Sequence, residues 1–256
     1  MNIGVLDSGV GGLSVLREAL VLLPNENYLY FADTDNAPYG IKTKDEVKRL
    51  VFNAVKFLVD KNIKALVVAC NAATSAAVAD LRKEYEFPII GMEPAVKPAV
   101  VKNHDGGKRV LVLSTALTLK EEKFQNLVSR VDTDHIVDMI PAPKLVTLAE
   151  RYVFLGPEVE SYLKEILPWD NMCNYGTVVL GCTHFPFFRQ ALTKVLPADI
   201  DIIDGNKGTI HHLIETLKAA NLLNPSSEKG HVSFYKSGVQ VKDHATLGIF
   251  ERLLHE

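Results

Sequence analysis

The runs KALVVACNAATSA (64–76) and GTVVLGCTHFPFF (176–188) share one build: a short Val/Leu-rich segment, a small residue, a cysteine, a polar residue, then a helix-patterned stretch. Each apolar segment is short enough for a buried strand, and each is followed by a turn and a capping candidate. Further runs of this kind recur as IGVL (3–6), YLYF (28–31), PII (88–90), RVLVL (109–113), HIVDMI (135–140) and IDII (200–203). Strands alternating with helical stretches imply an α/β fold with mainly parallel sheets. Between two of them, Thr43 and Glu46 are spaced as a capping box, and Val47, Leu50, Val51, Ala54 and Leu58 fall on one stripe, with Lys44, Lys48 and Arg49 left to water.

Two other strand ends are also alike. IGVL runs into Asp7-Ser8 and VLVL into Ser114-Thr115. From Asp7 to Cys70 is 63 residues and from Ser114 to Cys182 is 68, so the chain reads as a weak internal duplication with one cysteine at the equivalent place in each half. Ligands of open parallel sheets collect outside the carboxyl ends of the strands, and all four motifs end a strand. Two pseudo-symmetric units facing each other across a cleft would set Cys70 and Cys182 on opposite sides of one ligand.

Composition restricts what that ligand is. The chain has 256 residues, 47% apolar and 23% charged, which is ordinary for a globular protein and long enough for one large or two smaller domains. A formal net charge of -3, with scattered lysines and arginines, speaks against a nucleic-acid partner. No basic leader and no apolar run of about 18 residues is present, which implies a cytoplasmic chain with no membrane partner. The cysteines number three, with no CxxC or zinc-finger spacing, so free thiols are expected and no metal. Cys173, in WDNMCNYG, and His211 and His212, beyond IIDG, are read as bystanders.

A thiol on each face of a carbon suits inversion of a stereocentre by proton transfer: one removes a hydrogen as thiolate, the other returns one as thiol. Cys70 precedes a helix start with Asn71 or Thr74 near the cap, and Cys182 precedes a stretch with Pro186 in its first turn, so both thiols are expected near positive helix ends that bring their pKa toward neutrality. His184 stands two residues past Cys182 and Asp7 ends a strand of the other half; both are candidate proton-transfer partners. The carbanion and its carboxylate need fixed donors. Ser8 and the amides of SGVGG (8–12), with Asn71, Thr74, Thr115, Thr118 and Thr183, are candidates. A glycine-rich turn of this kind also binds nucleotides, but no acidic residue stands where a ribose contact is expected. A Cys182–His184 hydrolase is an alternative that leaves Cys70 unexplained.

VLDSGVGGLSV (5–15), FADTDNAPYG (31–40), VVACNAATSA (67–76), STALTLK (114–120), APKLVTLAE (142–150), VLGCTHFPFF (179–188) and IIDG (202–205), in this order over nearly the whole chain, resemble the glutamate racemases of bacteria, members of the aspartate/glutamate racemase superfamily. The resemblance implies two α/β domains, 1–94 with 206–256 and 95–205, the second inserted in the first, and a site between them. It further implies cofactor-independent interconversion of L- and D-glutamate, supply of D-glutamate to peptidoglycan synthesis, and a homodimer. By position Cys70 resembles the base for the D-enantiomer and Cys182 that for the L-enantiomer, with Asp7 and His184 as their helpers and Asp33 and Glu150 as nearby acids. Ser8, Pro38, Tyr39, Gly40, Asn71, Ala72, Thr115, Thr118 and Thr183 match or adjoin substrate contacts. One departure stands out: the family usually has Cys-Asn-Thr where this chain has Cys70-Asn71-Ala72, removing a hydroxyl worth about 1.5–3 kcal/mol against a charged group unless Thr74 or a water replaces it. Some relatives carry an N-terminal extension and respond to a cell-wall precursor; because this chain starts almost at its first strand, no such activation is expected. Aspartate or hydantoin racemisation, and an idle ligand-binding homologue, are the competing functions.

Overall fold

The computed structural model describes residues 1–255 and contains two parallel-rich sheets. The elements run β1 (Asn2–Asp7), α1 (Leu13–Leu22), β2 (Tyr28–Ala32), α2 (Lys44–Val59), β3 (Ile63–Val68), α3 (Asn71–Glu84), β4 (Ile89–Gly91), α4 (Val96–His104), β5 (Arg109–Ser114), α5 (Ala116–Lys120), α6 (Glu122–Val131), β6 (Val137–Pro141), α7 (Pro143–Glu150), α8 (Pro157–Ile166), β7 (Tyr175–Gly181), α9 (Arg189–Val195), β8 (Asp201–Asp204), α10 (Asn206–Ala219), β9 (Val232–Lys236), β10 (Val239–Gln240) and α11 (His244–His255). The first sheet has the order β10-β9-β2-β1-β3-β4 and the second β6-β5-β7-β8. Setting aside the β9–β10 hairpin, both follow the same order: a first strand flanked by the second on one side and the third on the other, with the fourth beyond. The duplication read in the sequence is therefore a repeated βαβ topology, in which β1 corresponds to β5 and β3 to β7.

Helices cover both faces of each sheet, which is why β1 and β3 read as unbroken apolar runs rather than alternating ones. Leu16, Ile210, Leu213 and Phe250 of α1, α10 and α11 pack with Val5 and Val67 on one face of the first sheet. Val51, Leu58 and Leu81 of α2 and α3 pack with Leu6 and Val68 on the other. The second sheet lies between Leu145, Leu163 and Leu192 of α7, α8 and α9 and Val100 and Phe124 of α4 and α6.

The α2 capping box is present, Thr43 accepting from the Glu46 amide while Glu46 reaches back, and Lys44 and Arg49 are exposed with Lys48 half-buried. Two features differ from the sequence reading. The stretch after Cys182 does not start an α-helix but a 3₁₀ turn over Phe185–Phe188, closed by the Phe185 amide on the Cys182 carbonyl at 3.0 Å, before α9 begins. The β9–β10 hairpin was not expected from the sequence, because its apolar residues are few and its faces half-exposed. No helix among the described residues is long and apolar enough to cross a membrane.

Candidate active site

Strand register brings the cysteines to the carboxyl edges of their sheets. Leu6 of β1 lies opposite Val68 of β3, and the Ala69 amide donates to the Leu6 carbonyl at 2.8 Å, so Ser8 and Cys70 leave the first sheet side by side. Their Oγ and Sγ atoms are 3.8 Å apart. In the second sheet Ser114 lies opposite Gly181, and Thr115 and Cys182 leave together in the same way. The two edges enclose one cavity. Ser8, Pro38, Tyr39, Gly40, Cys70, Asn71 and Ala72 line it from the first unit, and Thr115, Val146, Cys182 and His184 from the second.

Cys70 occupies the N-cap position of α3, so the helix end lies where the sequence placed it. Burial nevertheless pushes its thiol well above the ordinary value, and the Asp7 carboxylate adds to this, outweighing the Ala73 amide and the Ser8 hydroxyl. Helix-end lowering of the Cys70 pKa toward neutrality is thus outweighed by desolvation, which favours the protonated thiol. The Asn71 side-chain oxygen is buried beside it without a hydrogen-bond partner among the described residues.

His184 is almost fully buried behind Cys182. Its Nδ1 lies 3.6 Å from Cys182 Sγ and its Nε2 2.6 Å from Glu150 Oε1. Glu150 Oε1 also accepts from the Val10 amide at 2.9 Å, tying the SGVGG turn of the first unit to the histidine of the second. Burial opposes charge on His184, but contact with Cys182 and Glu150 wins and holds the imidazole well above its usual range. Burial likewise works against Glu150, and the bond to His184 overcomes it, so that carboxyl is lowered. Glycine is required in the turn: a Cβ on Gly9 would stand 1.7 Å from Glu150 Oε1, and one on Gly11 would stand 2.5 Å from His184 Nδ1.

Asp7 makes no hydrogen bond to Cys70 among the described residues; it acts on that thiol only through its field. Its carboxylate accepts from the Gly9 amide at 2.9 Å and from the Thr183 hydroxyl at 3.0 Å, a second link between the units. Burial pushes Asp7 up, partly countered by His184. Asp7, Thr118, Glu150 and Thr183 therefore stand one layer behind the cavity wall. Thr118 bonds Thr115, their hydroxyls 3.0 Å apart.

Thr74 is not at the cavity. Its hydroxyl donates to the Val68 carbonyl and accepts from the Met92 amide, each at 3.0 Å, so it cannot replace the hydroxyl missing at Ala72. Asp33 is buried next to the site and accepts from the Tyr39 phenol at 2.6 Å. Val146 was missed by the sequence reading, although its position four residues before Glu150 on α7 puts it on the same helix face. The Val10 amide carries no sequence signal. Cys173 is exposed, and His211 and His212 lie exposed on α10.

Comparison with known proteins places this geometry. The Asp/Glu/Hydantoin racemase family matches residues 12–213. The glutamate racemase of Halothermothrix orenii is 53% identical over 256 residues, 100% of both chains. Glutamate racemase 2 of Bacillus subtilis is 48% identical over 253 residues, 99% of this chain and 95% of that one. The crystal structure of glutamate racemase from Francisella tularensis subsp. tularensis SCHU S4 in complex with D-glutamate aligns with a TM-score of 0.82 at 28% identity, covering 100% of this chain and 94% of that one. Matched in sequence along its whole length and in fold, the chain belongs to the Asp/Glu/hydantoin racemase family of isomerases.

Proposed function

We propose that this racemase interconverts L- and D-glutamate by two-base proton transfer between Cys70 and Cys182, without a cofactor. The observation that carries the reading is that the two thiols end matched strands of two sheets and line one cavity, with His184 between Cys182 and Glu150. Full-length relatives named glutamate racemase support the choice of substrate. In the L-to-D direction the Cys182 thiolate takes the α-proton from one face, leaving the electron pair delocalised into the carboxylate. The Cys70 S–H then gives its proton to the opposite face. Cys182 ends as thiol and Cys70 as thiolate, and the D-to-L direction reverses both roles. Ser8, Asn71 and Thr115 supply donors and acceptors to the ammonium and carboxylate groups, while Glu150 and Asp7 orient His184 and Thr183.

The same reading has the enzyme act in the cytoplasm as a homodimer, supplying D-glutamate to peptidoglycan, with residues 1–94 and 206–256 forming one domain and 95–205 the other. Packing of α10 and α11 on the first sheet supports that division. Purified protein incubated in deuterium oxide with L-glutamate and no additive tests the chemistry. Optical rotation should decay together with wash-in of deuterium at the α-carbon, and Cys70→Ser or Cys182→Ser should slow this by about 10²–10⁴-fold. Racemisation of aspartate but not glutamate, or full activity in either variant, would refute it.

A further inference from the structure

The loop that carries Pro38, Tyr39 and Gly40 to the cavity is held from behind by the C-terminal hairpin, which itself contributes no residue to the cavity lining. β9 and β10 are joined by the two-residue turn Ser237–Gly238, with φ of 44° and 89°, the left-handed pair that closes a type I′ hairpin. β9 lies parallel to β2 with Ala32 opposite Lys236, so the turn stands over the end of β2, where the chain enters Asp33. The Ser237 amide donates to the Ala32 carbonyl at 2.8 Å. The Ser237 hydroxyl accepts from the Asp35 amide at 3.0 Å and donates to Asp33 Oδ1 at 3.2 Å.

Asp33 passes this constraint inward. Its Oδ1 also accepts from Asn36 at 3.0 Å, its Oδ2 accepts the Tyr39 phenol at 2.6 Å, and its amide donates to the Asp7 carbonyl at 3.0 Å. Beyond Tyr39 the loop has no slack: a Cβ on Gly40 would fall 2.7 Å from Thr115 Cβ across the cavity. An unbroken path of hydrogen bonds therefore runs from the hairpin tip to the cavity wall.

We propose that Ser237 is a positioning residue for racemisation, its hydroxyl holding Asp33 in the rotamer that receives Tyr39 and so setting the Pro38–Gly40 wall at the distance from Thr115 that closes on substrate. The inference rests on the glutamate reading only for the substrate of its kinetic test. Ser237→Gly removes the hydroxyl and suits the left-handed φ, so the hairpin still forms. Its KM for glutamate should rise about 3- to 10-fold with kcat within twofold. Ser237→Asn, which tolerates the same φ and retains a donor and an acceptor, should restore KM. In a Tyr39→Phe background Ser237→Gly should add nothing, because the path is already cut. An unchanged KM in Ser237→Gly, or an effect that adds in full to that of Tyr39→Phe, would overturn the proposal.

Iodoacetamide labelling of Cys70 provides a readout independent of substrate. Ser237→Gly and Tyr39→Phe should each accelerate it, and the two together no more than either alone; a rate equal to the parent's would count against the path. If the parent racemises no glutamate but the labelling follows this pattern, the substrate assignment falls and the role of Ser237 stands.

Discussion

His184 and Glu150 show how burial and pairing compete at a single site. A buried imidazolium is costly, yet contact with Cys182 and Glu150 makes the charged form the stable one. The histidine pKa is raised in the folded state, so its contribution to stability is complete below the unfolded value of 6.5 and is lost as pH rises through the folded one. Glu150 is lowered from 4.5, so its contribution exists above that value and disappears as pH falls through the folded one. The pair is intact in the window between. Glu150→Gln keeps an acceptor for the Val10 amide but removes the counter-charge, and should cost about 3 kcal/mol near pH 6. Urea unfolding should show that cost shrinking by pH 9; equal costs at both pH values would mean that His184 is neutral throughout.

Ala72 is the other informative residue. It lines the cavity, and Thr74, the nearest hydroxyl in sequence, is committed to the backbone of β3 and to Met92. Ala72→Thr should therefore lower the KM for glutamate about tenfold, the worth of one hydrogen bond to a charged group. Steady-state kinetics with both enantiomers checks this, and an unchanged or higher KM would show that no substrate group lies within reach of that position.

The turn between β1 and α1 acts as one mechanical element. Gly9 lets Glu150 approach closely, the Val10 amide bonds it, and Gly11 makes room for His184 and Thr183. Gly9→Ala would force Glu150 aside and uncouple it from both partners. A misplacement of about 1 Å in such a site costs about 10²-fold in rate, so kcat should fall by that order while far-UV circular dichroism stays unchanged. Retained kcat would show that Glu150 does not need this seat.

Across the whole molecule, the two units meet at the cavity and at its rim, where Lys44 of α2 pairs with Glu121 at the end of α5 at 2.8 Å. Cys70 and Cys182 lie inside, and Cys173 is exposed. Iodoacetamide should label Cys173 first and the other two much more slowly because they are buried, as peptide mass mapping over time would show. Labelling of Cys70 as fast as Cys173 would mean that the burial of Cys70 does not hold in solution.

Much of this was legible in the chain itself. Strand identity follows from short Val/Leu/Ile runs, the duplication from equal motifs at similar spacing, and proximity of the two cysteines from the rule that parallel strands present their carboxyl ends to ligand. These are local or periodic signals, carried by residues within a few positions of one another. Tertiary structure alone decided the rest. It buried Cys70 deeply enough to override its helix end, turned Asp7 toward Thr183 rather than Cys70, turned Thr74 toward backbone, and brought Ser237 to Asp33 from more than two hundred positions away. Hydrogen-bond partners and desolvation depend on which atoms surround a side chain once distant segments have packed, and residue type and spacing carry no information about that.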